Sequence, residues 1–539
     1  MPQSESGASF IESIMTDLSL PSPPSQGSAR ALASRETLRL SLLLVAHSMV
    51  WIVGAWLYRT NLDTAADMLE NYVWGIEWQP GYYKHPPAFA WMAASWFKIF
   101  PRTDLAYFAL SSCNATLGLC GIVALARRFL PMRDALIVGL AMAVTPIYTT
   151  LAIKFNANTV LLSLWPWAAY FFVRYVQTGT WKSALALGAA AALAMLGKYF
   201  SITLLAGLGL AGLSRPAWRA QLLRPRTLLA VLAGTVVLGP HLVWLVQNDF
   251  PTFAYADERI QEISDPFHVM LLEKIPYSLA QLAYLLPAMA FLALLMPRQR
   301  LAAVGAMLRS ILRPSLDRNL WWLSMGTFFA VCAVSVVTRT HLSSLWGNTQ
   351  WFAIVAFWLV ILQQRGFELD TRGVVRGMTV YWVFVLALSA LLGFTEAARH
   401  HRGAIEPRAE LAHAARQLWQ ERVGLPLDIV TGNDKEAKAI AFYGNDLTHY
   451  WDMYEPANTP WVARADVMRE GALFVCRGSD DRCNKIAAAF TRARAIPMSV
   501  HKRAWGLRLP DYGYNVYLLP PDGWHEAADR ARTGSKTAS

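Results

Sequence analysis

The chain has 539 residues, 55% of them hydrophobic and only 16% charged, with a net charge of +12. A soluble protein carries about a quarter charged residues, so the composition excludes an ordinary soluble enzyme. The basic excess does not mark nucleic-acid binding either, because the arginines fall between apolar segments, where membrane topology accounts for them. Several apolar stretches approach the roughly 20 residues that cross a bilayer. The sequence predicts a polytopic α-helical membrane protein.

Residues 1–34 are rich in Ser, Pro and Gly and lack a signal-peptide core, so a disordered cytoplasmic tail is expected. Arg30, Arg35 and Arg39 precede a first span at about 38–58. The positive-inside rule then puts the N-terminus inside and the next loop, 59–103, on the outer face. In that loop Asp67 and Glu70 stand three apart and share a helix face, with Trp74 one turn on. Gln79-Pro80-Gly81 breaks the helix, and Tyr82-Tyr83-Lys84-His85-Pro86-Pro87 follows in a backbone the prolines restrict. The apolar run 87–100 is too short to span and reads as an interfacial helix.

Further spans are expected at about 104–126, 134–152, 158–176, 183–197, 199–213, 227–247, 275–297, 320–338, 348–363 and on to about 394, making about 11 in all. With this count nearly every arginine cluster lies inside. Asp67, Glu70, His85, Lys154, Lys198, Asp249, His341 and Asn348 all fall near the outer side, and Asp257, Glu258 and Arg259 occupy an outer loop. From about 395 the composition changes. LDIVTG, ALFVC and NVYLL read as strands, EAKAIAFYG and NKIAAAFTRAR as helices, so 395–539 is expected to be a small soluble α/β domain outside the membrane. Cys476 and Cys483 can pair there if the compartment is oxidising, whereas Cys113, Cys120 and Cys332 lie in apolar segments as packing residues.

Each polar cluster admits a structural and a functional reading. Asp67 and Glu70 are either solvated acids or a base for a hydroxyl or amine nucleophile, and they can also help hold a divalent metal, although no complete ligand set is spelled out. Trp74, Trp78, Tyr82 and Tyr83 fit an interfacial aromatic belt as well as they fit a sugar-binding surface. Lys84, His85, Lys154, Lys198, His241, Arg339 and His341 are either snorkelling and capping residues or partners of an anionic phosphate. Several cations opposite the positive-inside side favour an anionic ligand there.

Taken together, Asp67-x-x-Glu70-x-x-x-Trp74 and Gly81-Tyr82-Tyr83-Lys84-His85-Pro86-Pro87 resemble the GT-C membrane glycosyltransferases, most closely the bacterial family 39 branch related to protein O-mannosyltransferases and the lipid A aminoarabinose transferase. Lys154-Phe155-Asn156, Gly197-Lys198-Tyr199, Gln247-Asn248-Asp249-Phe250 and Trp346-Gly347 support the likeness. That family carries an adjacent Asp-Glu pair in its first outer loop. Here residue 69 is Leu, so either Asp67 or Glu70 can be the base.

The resemblance implies a GT-C-like domain over 35–394 in a bacterial inner membrane, with 395–539 in the periplasm. It implies sugar transfer from a polyprenyl-phosphate-linked donor to lipid A or lipopolysaccharide, another lipid, a glycan or a protein. Lys84, His85, Lys154, Lys198 and His341 would meet the donor phosphate. Trp74, Tyr82, Tyr83, Asn156 and Trp346 would meet sugar or acceptor. Membrane lipids and no nucleic acid are the remaining partner expectations. The competing class is a transporter or flippase of a lipid-linked sugar, which predicts functional charges at mid-membrane. The charges seen here gather at one face.

Overall fold

A computed structural model describes residues 26–261, 267–314 and 317–524. The tail expected over 1–34 lies outside the described residues as far as residue 25, and from Gln26 the chain is helical to Tyr58. The side chains of Glu258 and Arg259 and the chain beyond 524 also lie outside them.

Among the described residues, six helices are long and apolar enough to cross a membrane: Ser34–Tyr58, Asp104–Ala126, Thr227–Gln247, His268–Leu294, Arg318–Val337 and Val374–Ala398. This is the frame of a multi-pass membrane protein. Side chains set some of the helix starts. The Thr103 hydroxyl accepts from the Ala106 N–H at 3.3 Å, and the Asp317 carboxylate accepts from the Leu320 N–H at 3.1 Å.

The other expected spans are shorter helices, and the local sequence explains why. Met132–Ala143 has 12 residues, about 18 Å of helix against the roughly 30 Å of a hydrocarbon core. Pro146 then opens a 3-10 turn, Pro146–Tyr148. Trp181–Gly197 and Ile202–Leu213 are separated by Lys198, whose backbone is extended (φ −166°, ψ 138°). Ile354–Gln364 has 11 residues and follows a 3-10 turn at Asn348–Trp351. Irregular backbone is tolerated among apolar helices only where protein buries it or it lines a cavity. Here the breaks converge on the first loop. Asn71 donates to the Phe155 carbonyl at 2.6 Å, Lys198 to Asn158 Oδ1 at 2.5 Å, and Lys198 Nζ lies 5.2 Å from the centre of the Trp346 ring.

The C-terminal segment forms a five-stranded sheet in the order β2-β1-β3-β7-β4. The strands are β1 (Ile429–Gly432), β2 (His449–Tyr450), β3 (Ala472–Arg477), β4 (Ile496–Val500) and β7 (Tyr512–Leu519); β5 (Arg503–Ala504) and β6 (Leu507–Arg508) make a separate ribbon. β1 runs parallel to β2 and β3, and β7 is antiparallel to β3 and β4. The central strands β1 and β3 are apolar without alternation because both faces are covered. β4 alternates and carries Pro497, as an edge strand can. The helices expected from EAKAIAFYG and NKIAAAFTRAR are Asp434–Phe442 and Asp481–Thr491. Cys476 and Cys483 are disulfide-bonded and buried.

One hydrophobic core runs from the membrane helices through the first loop into this sheet. Phe442 packs edge-on against Tyr72 (5.2 Å) and Phe97 (5.1 Å). Polar contacts fix the same seam. Arg408 donates to the Asp63 carbonyl at 2.6 Å, Tyr443 to Asp104 at 2.5 Å, and Asn61 to the Gly403 carbonyl at 2.7 Å. The sheet is thereby fastened to the first loop.

Candidate active site

The first loop holds a helix at Asp67–Gly75 and a second at Ala88–Phe97. The first begins after Ala66, which sits in the left-handed region at φ 64°. Asp63 closes its open end, accepting from the Asp67 N–H at 3.0 Å and the Met68 N–H at 3.2 Å. Asp63, Asp67 and Glu70 thus cluster at a helix N-terminus, where the helix dipole favours negative charge. Gly75 lets this helix approach the second, since a Cβ there would meet the Ala90 carbonyl oxygen at 2.1 Å.

Asp67 and Glu70 lie in different surroundings. Asp67 Oδ2 is 2.8 Å from Lys154 Nζ and accepts from Asn156 Nδ2 at 3.2 Å, and its side chain is 40% exposed. Lys154 also reaches Asp63, at 3.3 Å. Burial pushes the Asp67 carboxyl up, but the bond and charge of Lys154, with Asn156 and Lys84, outweigh it and leave the group below its ordinary value. Glu70 is gripped by two cations, Lys84 at 3.1 Å and Lys438 at 2.8 Å, and is only 16% exposed. Burial acts against the ammonium groups of Lys84 and Lys438, yet Glu70 reverses this and both are raised.

The Lys154-Phe155-Asn156 segment is shaped by its own side chains. Asn156 Oδ1 accepts from the N–H groups of Asn158 (2.9 Å) and Thr159 (3.2 Å), which aims its amide at Asp67. Asn158 Oδ1 in turn holds Lys198, and Lys198 lies over Trp346. Burial pulls the Lys198 ammonium down to about 8. Asp67, Lys154, Asn156, Lys198 and Trp346 therefore form one connected constellation.

The remaining predicted residues divide. Tyr82 and His85 exchange backbone hydrogen bonds at 3.1 and 3.2 Å, pinching the loop ahead of the two prolines. A Cβ on Gly81 would lie 2.3 Å from the Trp244 indole, so the loop can pass there only as glycine. Tyr82 is buried, stacks on Trp74 at 5.1 Å, and donates its hydroxyl to the Trp74 carbonyl at 2.8 Å. It holds the loop rather than offering a free face. Burial, then the charges of Lys198 and Lys84, drive His85 down to about 3, so it is a neutral hydrogen-bonding group and not a cation at neutral pH. His241 donates from Nδ1 to the Pro80 carbonyl (2.7 Å), and its Nε2 pairs with the Tyr199 hydroxyl (2.5 Å), as a brace beneath the loop. His341 pairs with Glu273 at 2.6 Å in a separate polar cluster, near Lys274 and Ser335. Tyr83, Lys84 and Trp74 face a cavity shared with the C-terminal sheet. Among the described residues no group of three or more His, Cys, Asp and Glu is placed to hold a metal.

Sequence reasoning missed two participants. Asp63 has a readable signal, an acid four residues ahead of the helix's first acid, at a capping distance. Lys438 has none, because only the fold brings it 368 positions along the chain to Glu70.

Residues 84–244 match the family model described as dolichyl-phosphate-mannose-protein mannosyltransferase. That segment takes in Lys84 and His85 of the first loop and Lys154, Asn156 and Lys198 of the constellation. Over this part of its length the chain is similar to enzymes that transfer sugars. In particular it is similar to the lipid A galacturonosyltransferase RgtD of Rhizobium johnstonii, with 24% identity over 332 residues, 60% of this chain. The match spans 66% of RgtD, just under two thirds of its length. Among solved structures, ArnT from Cupriavidus metallidurans bound to undecaprenyl phosphate is 16% identical with a TM-score of 0.49, over 89% of this chain and 98% of that one. An Archaeoglobus fulgidus oligosaccharyltransferase in complex with Zn and sulfate is 10% identical with a TM-score of 0.41, over 83% and 69% of the two chains.

Proposed function

We propose that this protein moves a sugar from a polyprenyl-phosphate-linked donor to an acceptor of the bacterial envelope, with Asp67 as the base. The observation that carries the assignment is the contrast between the two acids. Asp67 is partly open and shares Lys154 with Asp63, while both oxygens of Glu70 are engaged by Lys84 and one also by Lys438. Glu70 is the positioning residue that locks the loop.

In this scheme the acceptor hydroxyl attacks the anomeric carbon from the face opposite the phosphate. Its oxygen forms the new C–O bond as the bond from the anomeric carbon to the phosphate oxygen breaks. The electron pair leaves with the polyprenyl phosphate, the proton passes to Asp67, and the configuration inverts. Lys154 and Lys198 receive the growing phosphate charge. The low affinity of Asp67 for protons suits a late transfer, since the hydroxyl becomes acidic only as the new bond forms. A phosphate arriving at Lys154 also competes for the cation that depresses Asp67, which raises its basicity when substrate is present. Asn156 keeps the carboxylate aimed while that exchange occurs.

The RgtD match and the ArnT complex with undecaprenyl phosphate make lipid A-type acceptors and undecaprenyl-linked donors the first to supply. Reconstituted protein given polyprenyl-phosphate sugars and an envelope-lipid extract should release free polyprenyl phosphate with a matching mass gain on an acceptor. Asp67→Asn should lower that rate by about 10²–10⁴-fold, the usual contribution of a general base. Near-normal release by Asp67→Asn would remove it from the base role. Flux of an intact sugar lipid into vesicles, with no release, would replace the transferase by a transporter.

A further inference from the structure

A cavity of about 260 Å³ lies between the first loop and the C-terminal sheet. Tyr83 and Lys84 form its loop wall, and Tyr450, Tyr454 and Asn458 its opposite wall. Drug-sized ligands occupy roughly 300–1,000 Å³, so this space suits one small ring. Tyr83 and Tyr454 are half-buried and Tyr450 is buried behind them. The two half-buried rings supply flat apolar faces with polar edges, the combination that suits the C–H faces and hydroxyls of a pyranose.

The charges in the wall are already spoken for. Lys438 bridges Glu70 (2.8 Å) and Asp434 (2.7 Å), and Asp434 also accepts from the Tyr450 hydroxyl at 2.9 Å. Lys84 is held by Glu70. Asp452 accepts from its own turn, from the N–H groups of Tyr454 and Glu455 and from Asn458 Nδ2, at 3.0–3.1 Å. Three carboxylates (Glu70, Asp434, Asp452) stand against two ammonium groups (Lys84, Lys438), leaving the lining net negative. A phosphate or a uronic acid entering here would meet that surplus without an unpaired cation to receive it. A neutral polyol meets hydroxyls, an amide and carboxylate edges.

The cavity also sits at a telling distance from the base. Glu70, in its wall, lies one helical turn from Asp67, which puts their Cβ atoms about 5–6 Å apart. Lys154, proposed above to receive the phosphate charge, bonds Asp67 directly, and neither Lys154 nor Lys198 lines the cavity. A ring seated in the cavity therefore lies beside Glu70, within one helical turn of the proposed base and apart from those two lysines.

We propose that this cavity is a subsite for an uncharged glycosyl ring of the acceptor, built jointly by the first loop and the C-terminal domain. The inference rests on the transferase reading above and narrows it: the acceptor is a saccharide-bearing lipid or glycan rather than a bare protein hydroxyl. It also gives the C-terminal domain a part in acceptor choice, since Tyr450, Tyr454 and Asn458 are all its residues.

The test is binding, separate from turnover. Saturation-transfer NMR on the purified full chain in detergent would use methyl glucoside, methyl galactoside and methyl galacturonoside as probes. The neutral glycosides should bind and the galacturonoside should bind more weakly. Tyr454→Ala should weaken neutral binding by about tenfold, the equivalent of losing one well-packed ring face, and Asn458→Ala should weaken it too. Each variant is accepted only if it melts as wild type does, and Asn458→Ala serves where Tyr454→Ala does not fold. Asp67→Asn should leave binding within twofold of wild type. No binding of any neutral glycoside, equal binding of the galacturonoside, or unchanged binding in both folded wall variants overturns the subsite. Polyprenyl phosphate release by a protein that binds none of the probes would sink the subsite and spare the transferase. Binding without release under any donor would do the reverse.

Discussion

Lys154 is the residue on which the proposed chemistry turns. It stands between Asp63 and Asp67 and compensates both. Its removal should change Asp67 in a readable way. The Asp67 carboxyl is now held below its ordinary value chiefly against the opposing effect of burial, with Lys154 the strongest counterweight. In Lys154→Met that counterweight is gone, burial dominates, and the pKa rises. The acidic limb of the pH–rate profile should then move to higher pH, whatever happens to the height of the profile. A limb that stays in place while the rate falls would mean that Lys154 serves the phosphate alone. Much of this was legible in the chain, because Asp67, Glu70, Lys84, Lys154 and Lys198 are charges interrupting apolar text. The neutral state of His85 was not legible. It depends first on burial that only the folded loop creates, and then on Lys198, brought from far along the chain to join the adjacent Lys84.

At the scale of elements, the loop survives as a shape because small residues sit where backbones or rings close in. Gly81→Ala would drive a methyl group into the Trp244 ring, whose helix, Thr227–Gln247, is braced to the same loop through His241 and Pro80. Overpacking of this kind costs about 1–3 kcal/mol. The expected result is a lower melting temperature together with a loss of activity, measured on the same detergent sample. Unchanged melting and activity would show that the indole can move aside. The boundaries of Asp104–Ala126 and Thr227–Gln247 coincide with the ranges read from apolar length, since long uninterrupted runs announce themselves. The shorter helices did so in part: the expected spans 183–197 and 199–213 already part at Lys198 and 348–363 begins at Asn348, but hydropathy averages over Pro146, inside the expected span 134–152, where the helix has ended. Those stops are what deliver Asn156, Lys198 and Trp346 to the loop.

The molecule as a whole depends on how the C-terminal domain seats on that loop, and the seam contains a titrating pair. His449 Nδ1 lies 2.7 Å from Glu77 Oε1, with Glu77 nearly buried. The hydrogen bond to Glu77 raises the His449 pKa above its ordinary value of 6.5, against a smaller opposing effect of burial. A raised pKa in the docked state means that protonation and docking support each other. The contribution is complete below the undocked pKa, near 6.5, and is lost as pH climbs through the raised docked value. The domain should therefore seat more firmly in mildly acidic than in alkaline solution. Lys438 and Arg408 hold neighbouring points of the seam, so the domain should loosen rather than detach. Amide exchange across His449–Tyr450 and Asp434–Phe442 should accelerate on going from about pH 6 to about pH 8.5 beyond the intrinsic chemical increase. In His449→Gln, which keeps a hydrogen-bonding side chain without the titration, that excess should vanish. An equal excess in the variant would assign the effect to another group at the seam. Because the same helix carries Lys438 to Glu70, acceptor binding should weaken over the same pH interval in wild type and not in His449→Gln.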